Sequence, residues 1–255
     1  MIFESFSNNP REYMFSHAEL IILGIVTMTF IVITIFLSIK FLIKYINTKD
    51  KHLLFAGIAY VGVASCWFGV GLNFISVMLF NEIPPMELHF LLHGGIVTIA
   101  QWCFIMLCTD LSHLKKGMKK LIQILTGIIA IIVEIIYIFI VFTNSTLLGY
   151  LYVPIQVIYG PFSYVYLGVH LILFVLQGIW LGRESMKSED NRIRLKGKLI
   201  VISFLFFLGA SILEVFFSLI LIFIIARVLV TISAISFYSA FILPKWIEKL
   251  FLKEE

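Results

Sequence analysis

Charge is scarce in this chain: Asp, Glu, Lys and Arg make up 13% of its 255 residues. What lies between the long apolar runs is short, at most about 15–19 residues at a stretch, so no soluble catalytic domain of ordinary size fits. Cysteine is rarer still. Cys66, Cys103 and Cys108 all fall inside apolar runs, which offers neither a disulfide framework nor a Cys-x-x-Cys pair, and they read as packing residues. There is no HExxH and no GxSxG, and no Ser–His pair sits at a common depth. The chain therefore does not read as an enzyme. Lysine is missing from the last apolar run, ARVLVTISAISFYSAFIL, which excludes a retinal Schiff base of the microbial rhodopsin kind. The first 19 residues have no apolar core, for Glu4, Asn8, Asn9, Pro10, Arg11, Glu12 and His17 interrupt them; a cleavable signal peptide is not expected.

What is abundant is hydrophobicity, 61% of residues with a mean hydropathy of +1.05. Seven apolar stretches, roughly 20–43, 53–80, 88–109, 121–142, 160–182, 199–217 and 222–243, each suffice to cross a bilayer core that needs about 20 helical residues. Seventeen of the 19 Lys and Arg follow the first, third, fifth and seventh stretches. Only Arg11 and Arg227 do not. By the positive-inside rule the chain is an all-α membrane protein, a seven-helix bundle with its N-terminus out and C-terminus in. Residues 1–19 form an extracytoplasmic segment and 20–243 the transmembrane domain. Residues 244–255 form a cytoplasmic helix with Trp246, Ile247, Leu250 and Phe251 on one face and Lys245, Glu248, Lys249 and Lys253 on the other. That helix is expected to lie in the interface. The net charge of +4 then belongs to helix ends facing anionic headgroups, with membrane lipid rather than nucleic acid as the partner. The expected location is the cell membrane.

The 199–243 segment carries only two charges, Glu214 and Arg227, and 45 residues are too many for one membrane helix. A tight turn near Ser218–Ile222 is required. It sets Glu214 opposite Arg227, where the two either pin the hairpin or present Arg227 to an anionic ligand.

Polar residues on a span are costly and face the protein interior. At about 1.5 Å per residue, Asn73, His89, His93, Glu134, Glu214 and Arg227 all fall in the outer half. Helical stripes add Gln101, Tyr166 and His170. Asn73, His93, Gln101, Glu134, Tyr166, His170, Glu214 and Arg227 are the candidate ligand-binding set. Glu134 has no evident cationic partner: it is protonated, shares Arg227, or meets a cationic ligand. His89 and His93, at i and i+4, permit a metal or haem site with His170, hydrogen bonding to the loops, or ligand or pH sensing. No metal or other cofactor is expected. Gly94 and Gly95 allow the third helix to bend, whereas helices 3–7 show no Pro/Gly break at mid-membrane of the transporter kind. Tyr137, Tyr150, Tyr152, Tyr159, Tyr164 and Tyr166 read mostly as an interfacial belt.

Three segments carry a resemblance. Ala64-Ser65-Cys66-Trp67 in the second stretch has a small-residue-then-Trp pattern. Tyr159 to Leu176, YGPFSYVYLGVHLILFVL, opens with Tyr-Gly-Pro and spaced tyrosines, and leads to Arg194-Leu195-Lys196-Gly197. ARVLVTISAISFYSAFILPKW closes the apolar region. Over about 190 residues the chain resembles the seven-helix membrane sensor domain of prokaryotic, especially archaeal, histidine kinases and cyclic-dinucleotide enzymes. Where those usually have Arg-x-Gln, this chain has Arg194-Leu195-Lys196. Such domains continue into a kinase, cyclase or PAS domain, and this sequence ends at Glu255. The resemblance implies either a signal passed to a separate cytoplasmic signalling protein or a truncated chain.

The resulting expectation is a receptor-like sensor for a small or lipidic ligand bound in the outer half, involved in signal transduction. The alternative is a small-molecule or ion transporter or channel.

Overall fold

The computed structural model describes residues 8–217 and 219–251. Seven helices are long and apolar enough to cross a membrane: Ala18–Thr48, Lys51–Phe80, Met86–Leu111, Lys116–Thr143, Pro161–Met186, Asn191–Phe216 and Ile220–Ile242. The chain is thus a seven-helix, multi-pass membrane protein by length and composition. It divides into two compact units, Met1–His170 and Leu171–Glu255, each taken by itself below.

The first unit opens with a short helix absent from the sequence reading, α1 (Pro10–Ser16). Asn9 caps it, accepting from the Glu12 amide at 3.2 Å, and Pro10 occupies its first turn. The first span is α2 (Ala18–Thr48), closed by Lys49 in the left-handed conformation. Asp50 then caps α3 (Lys51–Ala64). A single 3₁₀ turn, Ser65–Trp67, separates α3 from α4 (Phe68–Phe80) within the second span. Arg11, the one cation expected outside the membrane, ties α1 to the end of α4. Its amide donates to Asn81 Oδ1 at 2.9 Å and its Nε to the Val77 carbonyl at 3.2 Å. A cation on the last carbonyls of a helix satisfies them and opposes the helix dipole.

The third span is α5 (Met86–Gly94) and α6 (Val97–Leu111), interrupted at Gly95–Ile96. The bend that Gly94 and Gly95 allow is present here as a full interruption, because two consecutive glycines remove the side chains that would hold the turn. Span four is α7 (Lys116–Thr143). Its buried residues Gly127, Ala130, Glu134, Tyr137 and Val141 form one stripe at alternating spacings of three and four. The remaining surface is Ile124, Ile128, Ile131, Ile135, Phe139 and Phe142, all exposed, which suits lipid and not water.

Between α7 and the next helix lies an antiparallel hairpin, β1 (Gly149–Val153) and β2 (Gln156–Tyr159), which the sequence reading took as a plain connection. Gly149, Leu151 and Val153 turn inward and Tyr150 and Tyr152 outward. Leu148 and Ile155 are fully enclosed, so the hairpin is an anchored cap. We call this the hairpin end of the unit. At the opposite, lysine end, Asp110 joins three helices. Its carboxylate meets Lys51 Nζ at 2.6 Å and Gln123 Nε2 at 2.9 Å, and Lys119 Nζ donates to its carbonyl at 2.9 Å.

In the second unit, α8 (Pro161–Met186, beginning in the first) is followed by α9 (Asn191–Phe216) and α10 (Ile220–Ile242). Helices α9 and α10 pack along their length, with Ser203 Oγ donating to the Ser233 carbonyl at 2.9 Å. Helix α9 ends at Phe216 and α10 begins at Ile220, so the connection overlaps the expected Ser218–Ile222 turn and starts one residue before it; Ser218 lies outside the described residues. After Leu243 and Pro244 comes α11 (Lys245–Phe251). Ile247 is buried, Trp246, Leu250 and Phe251 are exposed, and Glu248 pairs with Arg192 at the start of α9. Leu252–Glu255 lie outside the described residues.

Candidate functional site

The interruptions of the second and third spans stand side by side. Gly62, just before the 3₁₀ turn, faces the Ile96 carbonyl, and Gly69, just after it, faces the His89 carbonyl. A Cβ at either glycine would lie 3.1 or 2.8 Å from those oxygens. Both helices lose their regular ladder at this level. Backbone freed inside a membrane must be satisfied by neighbouring groups. Two tyrosines do so. Tyr166 Oη, from α8, donates to the Gly94 carbonyl at 2.9 Å, whose i+4 donor lies beyond the break. Tyr137 Oη, from α7, donates to the Phe90 carbonyl at 2.8 Å. Neither is an interfacial-belt residue, for both are buried, at 1% and 5% exposure; Tyr150, Tyr152 and Tyr164 are exposed as such a belt requires.

The rings around these hydroxyls form a stacked group. Tyr137 and Tyr166 lie with centroids 4.6 Å apart, Phe162 and Tyr166 6.0 Å, and Tyr166 and His170 4.5 Å. His170 Nδ1 is held by the Tyr166 carbonyl of its own helix at 2.7 Å. Glu134, one turn before Tyr137, lies within electrostatic reach of both tyrosines, as does Cys66 from the 3₁₀ turn.

Glu134 is 7% exposed, and neither carboxyl oxygen has a hydrogen-bond partner of good geometry among the described residues. The Thr98 hydroxyl stands within hydrogen-bonding reach of it. Thr98 Oγ1 and Tyr166 Oη are 2.8 Å apart, and Tyr166 gives its one proton to Gly94, so Thr98 must donate to Tyr166. No proton is left for the carboxylate. The protonated acid has an acceptor in the Thr98 oxygen, whose lone pairs remain. The ionised carboxylate is the form left without a donor among the described residues, and a buried charge of that kind calls for a group from outside the chain.

Nearer the hairpin, Asn73 and His89 form a clamp. Asn73 Nδ2 donates to the Pro154 carbonyl at the hairpin turn, at 3.2 Å, and its Oδ1 meets His89 Nδ1 at 3.1 Å. His93 stacks on His89 at 5.9 Å and on Tyr159 of β2 at 5.2 Å. Gln101 is buried two turns further along α6. These polar residues fix the cap to the broken helices. His89 and His170 are each engaged by other groups, and among the described residues no three His, Cys, Asp or Glu side chains gather as a metal site requires.

The remaining two expected residues are in the second unit, where Arg227 and Glu214 form an ion pair between α10 and α9. Six of the eight expected residues thus belong to the first unit and two to the second. Sequence reasoning missed Thr98, Cys66 and the hydrogen-bonding role of Tyr137. Gly94-Gly95 was the available signal for the last. No family model matches the chain, and no curated protein matches it.

Proposed function

We propose that this chain is a receptor-like sensor of the cell membrane whose ligand, small or lipidic, carries an organic cation that meets Glu134. The Glu134 carboxylate, which has no donor among the described residues and lies beside two interrupted helices and a stack of aromatic rings, is the observation that carries this reading. A carboxylate fulfils the charge requirement of an ammonium group, and aromatic faces attract the same group by about 0.5–2 kcal/mol each. Such a ligand is more extended than a metal ion, consistent with donors that do not converge on a point.

The hairpin end is the extracytoplasmic one in this reading, because the lysines gather at the other. The clamp of Asn73 and His89 holds the hairpin over the site as a cover, with His93, Gln101 and His170 offering polar contacts beneath it. Arg227 is answered by Glu214 and serves the second unit's assembly instead of docking an anion. Ligand binding shifts the broken spans, and a separate cytoplasmic protein reads the change at the basic segment from Arg183 to Lys198, after the fifth span, and at α11. This arrangement accords with the sensor-domain resemblance of the sequence.

The test is thermal stabilisation of the purified protein by a panel of primary, tertiary and quaternary amines, each beside a neutral isostere, in wild type and Glu134→Gln. A ligand at 100 times its Kd stabilises by about 2.7 kcal/mol. Stabilisation by an amine but not its isostere, lost in Glu134→Gln, is the expected outcome. Equal responses to amine and isostere would end the reading.

A second reading is favoured by the interruptions themselves, since discontinuous helices mark substrate sites in transporters. Counterflow of a stabilising amine across liposomes, abolished by Glu134→Gln, would turn the sensor into a carrier.

A further inference from the structure

Away from the Glu134 site, toward the lysine end of the first unit, a cleft of about 460 Å³ opens between α2, α3 and the start of α6. Its walls include Ile35, Ser38 and Leu42 of α2, Leu54 and Gly57 of α3, and Ile99 of α6. Ser38 is the one polar side chain among the lining residues, and its hydroxyl is already spent on the Thr34 carbonyl at 2.8 Å. The cleft thus asks for hydrocarbon alone. It is built into the packing: Gly57 offers no side chain, and Phe41, fully buried, lies against it so that an added Cβ would come within 3.1 Å. Along α2 the lining from Ile35 to Leu42 spans seven residues, about 10 Å. Half the hydrocarbon core of a bilayer is about 15 Å. The cleft is about two-thirds as deep as the hydrocarbon of one leaflet.

Charge lies at its mouth. Lys49 closes α2 in the left-handed conformation, directly after the helix whose Ile35–Leu42 stretch lines the cleft, and so stands at the lysine end of that wall. It is exposed, and among the described residues no ion pair engages it. Lys51, on the face of α3 that carries Leu54, stands beside it, bound to Asp110. Residues 40–52 hold four lysines (40, 44, 49, 51) against one acid, Asp50, giving +4 − 1 = +3 with His52 neutral.

We propose that this cleft is a binding site for one acyl chain of an anionic glycerophospholipid, drawn from the leaflet at the lysine end, with its phosphate at Lys49. An apolar, satisfied wall selects the chain. The cation at the end of the lining helix selects the headgroup charge and fixes the leaflet. A phospholipid seated here wedges α2 against α3 and α6, and so links the composition of that leaflet to the helix that bears one of the two interruptions.

Native mass spectrometry of the detergent-purified full chain, with equimolar phosphatidylglycerol and phosphatidylcholine of identical chains, tests this. One lysine near a membrane surface contributes an anionic-lipid preference of about fivefold. The expected result is a single dominant adduct favouring phosphatidylglycerol by at least about that factor. Lys49→Gln should remove most of the preference and leave a lipid adduct, while Lys249→Gln, an exposed lysine of the second unit, should not change it. Ser38→Trp, which fills the cleft, should reduce the adduct for both lipids. Where Ser38→Trp lowers the yield of folded protein, Ile58→Phe on the facing wall gives the same reading. Equal occupancy by the two lipids, or a preference untouched by Lys49→Gln, would mean ordinary annular lipid and overturn the proposal.

Discussion

Breaking the Glu214–Arg227 pair should harm the protein unequally from its two sides. Arg227 has a side-chain exposure of 5% and Glu214 one of 17%. Removing one partner of a buried pair typically costs about 3–5 kcal/mol, because a charge is left without compensation. Arg cannot shed its proton in a protein, so Glu214→Ala strands a cation that has no escape. Glu214, freed by Arg227→Ala, can take up a proton and is closer to the surface. We therefore expect about 3 kcal/mol for Glu214→Ala and about 1–2 kcal/mol for Arg227→Ala. At 2–4 °C per kcal/mol for a protein of this size, the Tm losses are about 6–12 °C and 2–8 °C. The double variant Glu214→Leu/Arg227→Met should recover most of the loss, since apolar residues of similar volume replace buried pairs at little cost. Thermal unfolding in one detergent, followed by intrinsic fluorescence, measures all three. Additive losses in the double variant would refute the pair as a coupled element. Equal losses in the single variants would refute the asymmetry argument.

Tyr166→Phe removes the donor to the Gly94 carbonyl beside the helix break and should cost about 1–3 kcal/mol, read as a lower Tm. Gly94→Ala places a methyl 2.2 Å from Tyr137 Oη and 2.4 Å from its Cζ, so it should be strongly destabilising in wild type and less so in Tyr137→Ala, where the ring is gone; additivity would deny the contact. Asn73→Leu cuts the link to Pro154, and hydrogen exchange at residues 149–159 should quicken while that of α9 and α10 stays unchanged. Lys119→Met unties the Asp110 and Ser112 carbonyls, where a Tm loss of about 1 kcal/mol equivalent is expected with no effect on amine binding.

The seven spans were legible because a bilayer demands length and hydrophobicity, which a sequence displays directly. The pairing of Glu214 with Arg227 was legible for a related reason: they are the two charges of one long apolar segment, and the pair forms although the connection is not centred where the register argument put it. The hairpin was not. LYVPIQVIY reads as a connection until one sees that Leu151, Val153 and Ile155 have a buried surface to meet. The third-span break was half visible, since Gly94-Gly95 permits a bend but does not require one. What decided it was Tyr137 and Tyr166 arriving from other helices to satisfy the backbone, a long-range event with no local signature. The same holds for Glu134. Its depth followed from counting residues, yet its lack of a donor depends on where the single protons of Thr98 and Tyr166 go.

Native mass spectrometry of the protein released from mild detergent, at a resolution that reads bound mass, bears most directly on the central claim. One organic cation per chain, supplied from the amine panel and retained in Arg227→Ala but absent in Glu134→Gln, is the predicted spectrum. An adduct that persists unchanged in Glu134→Gln, or a protein that takes up no amine from the entire panel, would contradict it.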